Sequence, residues 1–93
     1  MAEDLESGIR HNAGRHRYEL DADGGTAIAE YYERNGARIF THTEVPPQDE
    51  GHGLGAELVR AALDDTKAHG LKIVPACSFV ELFVRRQPEY RNG

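Results

Sequence analysis

The chain of 93 residues has only one cysteine, Cys77, which excludes an internal disulfide and suits a reducing compartment. It has no apolar run near the ~20 residues that a membrane-spanning helix requires. The N-terminal sequence MAEDLESGIR lacks an apolar stretch after a basic start, so we expect no signal peptide. Together these absences predict a cytoplasmic protein without a membrane segment.

Basic residues are also scarce, with 11 lysines and arginines against 16 acidic residues and a net charge of −5. This excess of acid argues against a general affinity for nucleic acids or anionic membranes, but it leaves room for one local anion site. The five histidines show no paired spacing of metal ligands, so we expect no metal site. We expect one domain over residues 15–93, preceded by a flexible lead-in over residues 1–14.

Three segments in the first half of the chain have the composition of β-strands. Residues 15–20 are followed by the turn sequence DADGG, and residues 26–34 are rich in β-branched and aromatic side chains. An Asn-Gly pair then predicts a tight hairpin, because both residues tolerate positive φ. Residues 37–45 form the third segment, which two prolines end. Its strict alternation places four side chains on one face: Arg38, Phe40, His42 and Glu44.

The second half of the chain alternates helix and strand. Apolar spacing predicts a helix over residues 53–69 and a short buried strand over residues 71–76. An S-x-x-E capping box at Ser78 predicts a second helix that ends near Arg86. The order β-β-β-α-β-α indicates an α+β fold with a mixed sheet. A three-stranded antiparallel meander is followed by a right-handed β-α-β crossover, with parallel strands, and by a short C-terminal helix.

Three glycines, Gly51, Gly53 and Gly55, surround the start of the first predicted helix. A helix N-terminus exposes unpaired N–H groups and partial positive charge, and glycine lets a ligand approach closely. The pattern therefore favours a phosphate cradle over a merely flexible entry turn. A dinucleotide fingerprint is a poor match, because five residues separate the strand end at Val45 from Gly51. The Walker pattern fails because no Lys-Ser/Thr follows.

The loop sequence QDEGHG, residues 48–53, matches Q/R-x-x-G-x-G/A, the pyrophosphate-loop signature of the GNAT superfamily of N-acetyltransferases. With the preceding strand, the following helix, the PACSFV segment and the closing PEY, it resembles a compact branch of small GNAT-like proteins across residues 15–90. The resemblance implies a GNAT-like fold, acetyl-CoA or CoA as the ligand, and a primary amine of a small molecule or peptide as the acceptor.

The resemblance also implies which residues bind the cofactor. The backbone at the strand end pairs with the pantetheine arm, and backbone N–H groups of the loop and first helical turn receive the pyrophosphate. These residues are Thr43, Glu44, Val45, Gln48, Gly51, His52, Gly53, Leu54, Gly55 and Ala56. The chain departs from the pattern at Asp49, Glu50 and His52, where many relatives carry basic or amide side chains. Carboxylates beside a pyrophosphate oppose its binding.

Acyl transfer from a thioester to an amine needs a group that accepts the amine proton and one that helps the thiolate leave. His42 and Glu44 are candidate bases, and a packed histidine and a solvated carboxylate are the alternatives. Cys77 precedes a helix N-terminus, which favours a thiolate, so it is a candidate nucleophile or acyl relay, or else a small buried apolar residue. Larger relatives use a tyrosine to protonate the thiolate. Tyr90 is the candidate here, with packing as its alternative.

Two functions from different classes follow from the sequence. The first is an acetyl-CoA-dependent N-acetyltransferase. The second is a CoA-binding or protein-interaction module on the same fold, with little or no catalysis. Larger enzymes of the family build the acceptor site from additional N-terminal helices, which this sequence does not predict. We therefore expect a monomer whose acceptor site is shallow or completed by a partner that carries the amine.

Overall fold

The computed structural model describes residues 3–6 and 8–91. They form one six-stranded sheet in which the strands follow chain order, and two helices accompany it. Neither helix is long and apolar enough to cross a membrane. The elements are β1 (Glu3–Glu6), β2 (Ile9–Asn12), β3 (Arg17–Ala22), β4 (Gly25–Arg34), β5 (Ala37–Glu44), α1 (Leu54–Ala68), β6 (Lys72–Pro75) and α2 (Ser78–Arg86).

The mixed sheet that the sequence predicts is confirmed. Strands β1 to β5 pair antiparallel, and β5 pairs parallel with β6 across the α1 crossover. The β4–β5 hairpin turns at Asn35 and Gly36, whose φ angles are +53° and +76°, as the Asn-Gly pair predicts. The antiparallel part has five strands, however, where the sequence predicts three.

The two additional strands lie in the segment expected to be a flexible lead-in, residues 1–14. Within its described part, β1 pairs with β2, and β2 pairs with β3 through the whole of its length. Ile9 of β2 is 1% exposed in the core, and the guanidinium of Arg10 pairs with Glu19 and Asp21 on the opposite face. The sheet therefore begins before residue 15, and ion pairs stabilise strands that contain few apolar residues.

Helix α1 lies across one face of the sheet and supplies five of the seventeen buried residues of the core. Its spacing of apolar residues gives a buried stripe, which faces small and aromatic side chains of the central strands. Helix α2 closes one end of this core with Val80, Phe83 and Val84. Burial of each large side chain contributes roughly 1.5–3 kcal/mol. The core residues of the sheet are Ile9, Tyr18, Leu20, Ala27, Ala29, Tyr31, Phe40 and Ile73.

A buried polar cluster joins the C-terminal half of α1 to the sheet. The Tyr18 hydroxyl donates to Asp65 Oδ2 at 2.7 Å and accepts a hydrogen bond from Arg38 Nη1. His11 Nε2 is hydrogen-bonded to the hydroxyl of Tyr31. Burial lowers the pKa of His11 and raises the pKa of Tyr18 and of Tyr31, because it disfavours each charged form. The cluster therefore holds a neutral histidine between two neutral tyrosines.

Candidate functional site

A β-bulge in β5 decides which side chains face the candidate site. The register pairs Tyr31 with Phe40 and Glu30 with His42, so Thr41 is an extra residue in β5. A bulge of this kind interrupts the alternation of side chains between the two faces of a sheet. The strict alternation predicted for residues 37–45 is therefore wrong beyond Phe40.

After the bulge, each side chain of β5 faces the side of the sheet opposite to the one that strict alternation predicts. Phe40 is 1% exposed on the face that α1 covers, and Thr43, opposite the buried Ala29, lies on that same face. His42 and Glu44 lie on the open face, where His42 Nε2 is 3.1 Å from Glu44 Oε2 and both side chains are exposed. The structure brings these two candidate bases together, but it separates them from the helix-covered face.

The hydrogen-bonded pairing of the parallel strands β5 and β6 ends just before the bulge. The ladder between β5 and β6 ends at the pair of Phe40 and Pro75, although β5 continues to Glu44. The chain after β6 turns away into α2, and beyond the ladder its backbone is joined to β5 by a hydrogen bond from the Cys77 N–H to the Phe40 carbonyl at 2.9 Å. A slot therefore opens between the second half of β5 and the start of α2.

Cys77 lies at the inner end of this slot. It is half-buried and forms the N-cap of α2, and its Sγ accepts a hydrogen bond from the Val80 N–H at 3.5 Å. Its Sγ is also 3.4 Å from Thr43 Oγ1. The sequence predicts Ser78 as the cap, but Ser78 is the first helical residue, because Cys77 has the extended backbone of an N-cap. The thiol thus faces β5 from a helix N-terminus.

The glycine loop leaves open space in front of α1. Gly53 is the N-cap of this helix, with φ of +77°, and Gly51 has φ of +86°. A Cβ atom added at either residue would meet no other atom within 4 Å. The amides of the first helical turn have no acceptor within the helix and carry partial positive charge. The loop therefore leaves open space beside these two glycines, just before the amides of the first helical turn.

Gly55 has a different role, because it lets α1 approach α2 closely. A Cβ atom at Gly55 would lie 2.6 Å from Phe79 Cζ and 3.2 Å from Val45 Cγ2. Around this contact is a cavity of about 320 Å³. Its lining residues are Val45, Asp49, Glu50, Gly51, Gly53, Leu54, Gly55, Ala56 and Phe79. Six of these nine belong to the predicted cofactor set, whereas Phe79 was not among the predicted residues.

The remaining members of the predicted cofactor set lie elsewhere. Thr43 faces Cys77 in the slot, and Glu44 is on the open face of the sheet. Gln48 and His52 line a second cavity of about 480 Å³, which shares Asp49 and Leu54 with the glycine cavity. That second cavity is acidic, since Asp21 and Asp23 also line it.

The two loop carboxylates differ in their surroundings. Asp49 is 7% exposed, and its Oδ2 accepts a hydrogen bond from the Gly24 N–H at 2.8 Å. Its charge is therefore engaged by the turn between β3 and β4, which orders the loop. Glu50 is exposed at the cavity edge, where solvent screens its charge.

Tyr90 is engaged away from the slot. Its hydroxyl donates to Asp64 Oδ1 on α1 at 2.7 Å, and its ring packs against Phe83. Burial, together with the Asp64 carboxylate, raises the pKa of Tyr90 to about 12. Through these contacts Tyr90 attaches the C-terminal segment to α1. They agree with the packing role, the alternative to proton donation.

One group of side chains has the composition of a metal site. Donor atoms of Glu3, His11 and Asp65 lie within 4.8 Å of one another. However, Arg38 Nη1 lies 3.5 Å from Asp65 Oδ2, so a guanidinium already provides positive charge beside this carboxylate. A cation at the same place would be repelled by Arg38.

Comparison with known proteins agrees with this architecture. The family model described as GCN5-related N-acetyl-transferase matches residues 17–92. Protein NATD1 of Mus musculus is 31% identical over 83 residues, which cover 86% of this chain and 76% of that protein. Protein NATD1 of Homo sapiens is also 31% identical over 83 residues, covering 74% of its length. By sequence and by fold, the chain belongs to the GCN5-related N-acetyltransferase family.

Proposed function

We propose that this protein is an acetyl-CoA-dependent N-acetyltransferase that transfers an acetyl group to a primary amine of a small molecule or peptide. The observation that carries the proposal is the position of the glycine cavity beside the contact between Thr43 and Cys77. Val45 and Phe79 line the cavity, and each follows one of the two contacting residues by two positions in the chain. The open loop and the thiol are therefore brought to the same end of β5.

The cradle and the slot suit the two halves of the cofactor. The amides from Gly51 to Ala56 would hold the pyrophosphate, because the positive φ angles of the loop leave its approach open. The backbone of β5 from Thr43 to Val45, beyond the end of the parallel ladder, would pair with the pantetheine arm as an added strand does. When bound, acetyl-CoA supplies an activated thioester carbonyl.

We propose that the Cys77 sulfur attacks the thioester carbonyl, so that the acetyl group passes to Sγ and CoA leaves as a free thiol with the proton that Cys77 gives up. Its Sγ accepts a hydrogen bond from the Val80 N–H at the N-terminus of α2, which holds the sulfur toward β5. The Thr43 hydroxyl lies 3.4 Å from the sulfur and can form a hydrogen bond with it. The amine then displaces Cys77 from the acetyl group, and its proton passes through water to His42 or Glu44, because these side chains lie on the other face of β5.

The charge of the chain supports a cationic acceptor. A net charge of −5 raises the local concentration of protonated amines, whereas it repels nucleic acids and anionic membranes. The acidic cavity beside the loop adds to this field. We propose that the protein acts as a cytoplasmic monomer, consistent with its single thiol.

A turnover assay with a mixed panel of amines and lysine-containing peptides tests the proposal. Release of the free CoA thiol should depend on the amine, and calorimetry should show CoA binding by the same preparation. CoA binding without turnover on any amine would instead support the alternative, a CoA-binding or protein-interaction module on this fold.

A further inference from the structure

A second groove lies beside the glycine cavity, between α1 and α2. It has a volume of about 270 Å³ and shares two lining residues, Ala56 and Phe79, with the glycine cavity. Arg60 follows Ala56 by one helical turn on α1 and therefore lies on the same side of that helix. The two depressions are neighbours on one surface, and a ligand that extends beyond the glycine cavity past Phe79 would enter this groove.

The α2 side of the groove is an exposed apolar surface. Phe79, Leu82, Phe83 and Arg86 line it, at the three- and four-residue spacing that puts side chains on one helix face. Phe79 is 41% exposed and Leu82 is 44% exposed, which makes them two of the few large apolar side chains that remain open to solvent in the described chain. The exposed ring of Phe79 is planar and can stack on the face of a heterocyclic base.

Two guanidinium groups, those of Arg60 and Arg86, lie beside this apolar surface. Arg60 lies over the Phe83 ring, with Cζ 5.5 Å from the ring centroid, and Arg86 lines the groove from α2. Among the described residues, neither arginine forms an ion pair with a carboxylate, whereas their neighbour Arg85 pairs with Glu81. In an acidic protein, this surface therefore has two guanidinium groups without a described carboxylate within ion-pair distance.

We propose that this groove binds the 3′-phosphorylated adenosine of CoA. This inference rests on the proposed function, which puts the pyrophosphate at the glycine loop. The exposed ring of Phe79 and the side chain of Leu82 would contact adenine, and Arg60 and Arg86 would bind the 3′-phosphate. The other cavity beside the loop contains Asp21 and Asp23, which repel phosphate, so charge selects the groove between the helices.

Positive charge in this groove would allow a loop with acidic residues to bind CoA, which has four negative charges. The loop segment from residue 46 to residue 53 has no lysine or arginine, so its attraction for phosphate comes from backbone amides alone. Arg60 and Arg86 would provide the charge that the loop lacks. Because both arginines are exposed, this contribution should weaken as ionic strength rises.

Calorimetric titration of the full chain with CoA and with 3′-dephospho-CoA tests the assignment. The wild-type protein should bind CoA roughly tenfold more tightly, since guanidinium–phosphate hydrogen bonds are charge-assisted. The double variant Arg60→Gln/Arg86→Gln should bind the two ligands equally, at about the wild-type affinity for 3′-dephospho-CoA. Arg85→Gln is the matched control, because Arg85 is on the same helix but already paired, and it should keep the wild-type preference.

Two failures are distinguishable in this experiment. Equal binding of both ligands by the wild-type protein, or an unchanged preference in the double variant, would overturn the groove assignment while leaving CoA binding in place. Absence of binding for both ligands would overturn the proposed function, and the groove assignment with it. Circular dichroism of each variant, recorded beside the titrations, verifies that the substitutions leave the fold intact.

Discussion

Cys77 Sγ and Thr43 Oγ1 lie 3.4 Å apart, which brings the N-cap of α2 against the second half of β5. The contact depends on two features of β5. The bulge at Thr41 turns Thr43 toward the helix-covered face, and the end of the ladder at Phe40 frees the chain after Pro75 to turn into α2. The thiol is thereby held against β5, two residues before Phe79, which lines the glycine cavity.

Substitution of Cys77 separates its chemical role from its structural role. Cys77→Ser should lower acetyl transfer by roughly two orders of magnitude or more, because a hydroxyl is a far weaker nucleophile than a thiol. The serine variant should nevertheless fold and bind CoA normally, since serine is a favourable N-cap. Steady-state turnover and calorimetry on one sample provide the comparison. A serine variant with full activity would remove Cys77 from the mechanism and leave direct transfer assisted by His42 and Glu44.

The glycine cradle can be tested with a matched pair of substitutions. Gly53 and Gly36 have φ of +77° and +76°, and neither has another atom within 4 Å of an added Cβ. Alanine at either position should therefore cost a similar ~1–2 kcal/mol of stability through backbone strain. Only Gly53→Ala should also weaken CoA binding, by about tenfold or more, because its Cβ would stand at the phosphate approach. Calorimetry that finds equal CoA affinity for the two folded variants would contradict the cradle.

The sequence predicts the elements with strong local signals. The Asn-Gly hairpin, the apolar period of α1 and the glycine loop before it each arise from interactions between near neighbours, and each is present in the structure. The start of α2 at Ser78 also follows from local spacing, although its cap is the preceding thiol. Local patterns were sufficient to identify the cavity that the candidate site requires.

The features that the sequence did not predict depend on distant partners. Strand β2 has one fully buried apolar residue, Ile9, and gains its remaining stability from pairing with β3, which composition does not reveal. The bulge at Thr41 is invisible in an alternating sequence, because only the register against β4 defines it. Phe79 of α2 lines the cavity because Gly55 of α1 has no Cβ atom to exclude its ring. This contact joins two separate helices, so neighbouring residues in the sequence do not reveal it.

The polar cluster beneath α1 should be a major source of stability. Tyr18→Phe would leave Asp65 and Arg38 without the hydroxyl that joins them in the core. We expect a loss of about 1–3 kcal/mol in the free energy of unfolding, because the buried Asp65 and Arg38 each lose a hydrogen-bond partner. Tyr32→Phe is the control, because Tyr32 is 45% exposed, and it should change stability by less than about 0.5 kcal/mol. Urea denaturation measures both, and equal effects would show that the cluster contributes nothing.

Stability should also fall in mildly acidic solution because of His11. Burial lowers the pKa of this histidine in the folded protein below its ordinary value of 6.5. The unfolded chain therefore takes up the proton first as pH falls, so stability is full above pH 6.5 and decreases below it. Urea unfolding from about pH 7.5 to about pH 5.5 should show this loss, and His11→Gln should reduce the slope. His52→Gln, at an exposed site, should retain it; an unchanged slope in His11→Gln would refute the assignment.

Amine-dependent acetyl transfer is the central claim, and one measurement addresses it most directly. The wild-type protein and Cys77→Ala are incubated with acetyl-CoA and the panel of amines and peptides, and thiol release and acetylated products are both quantified by mass spectrometry. We predict that the wild-type protein releases CoA in step with acetylated amine and that Cys77→Ala binds CoA but transfers nothing. CoA binding by the wild-type protein without any amine-dependent release would contradict the account.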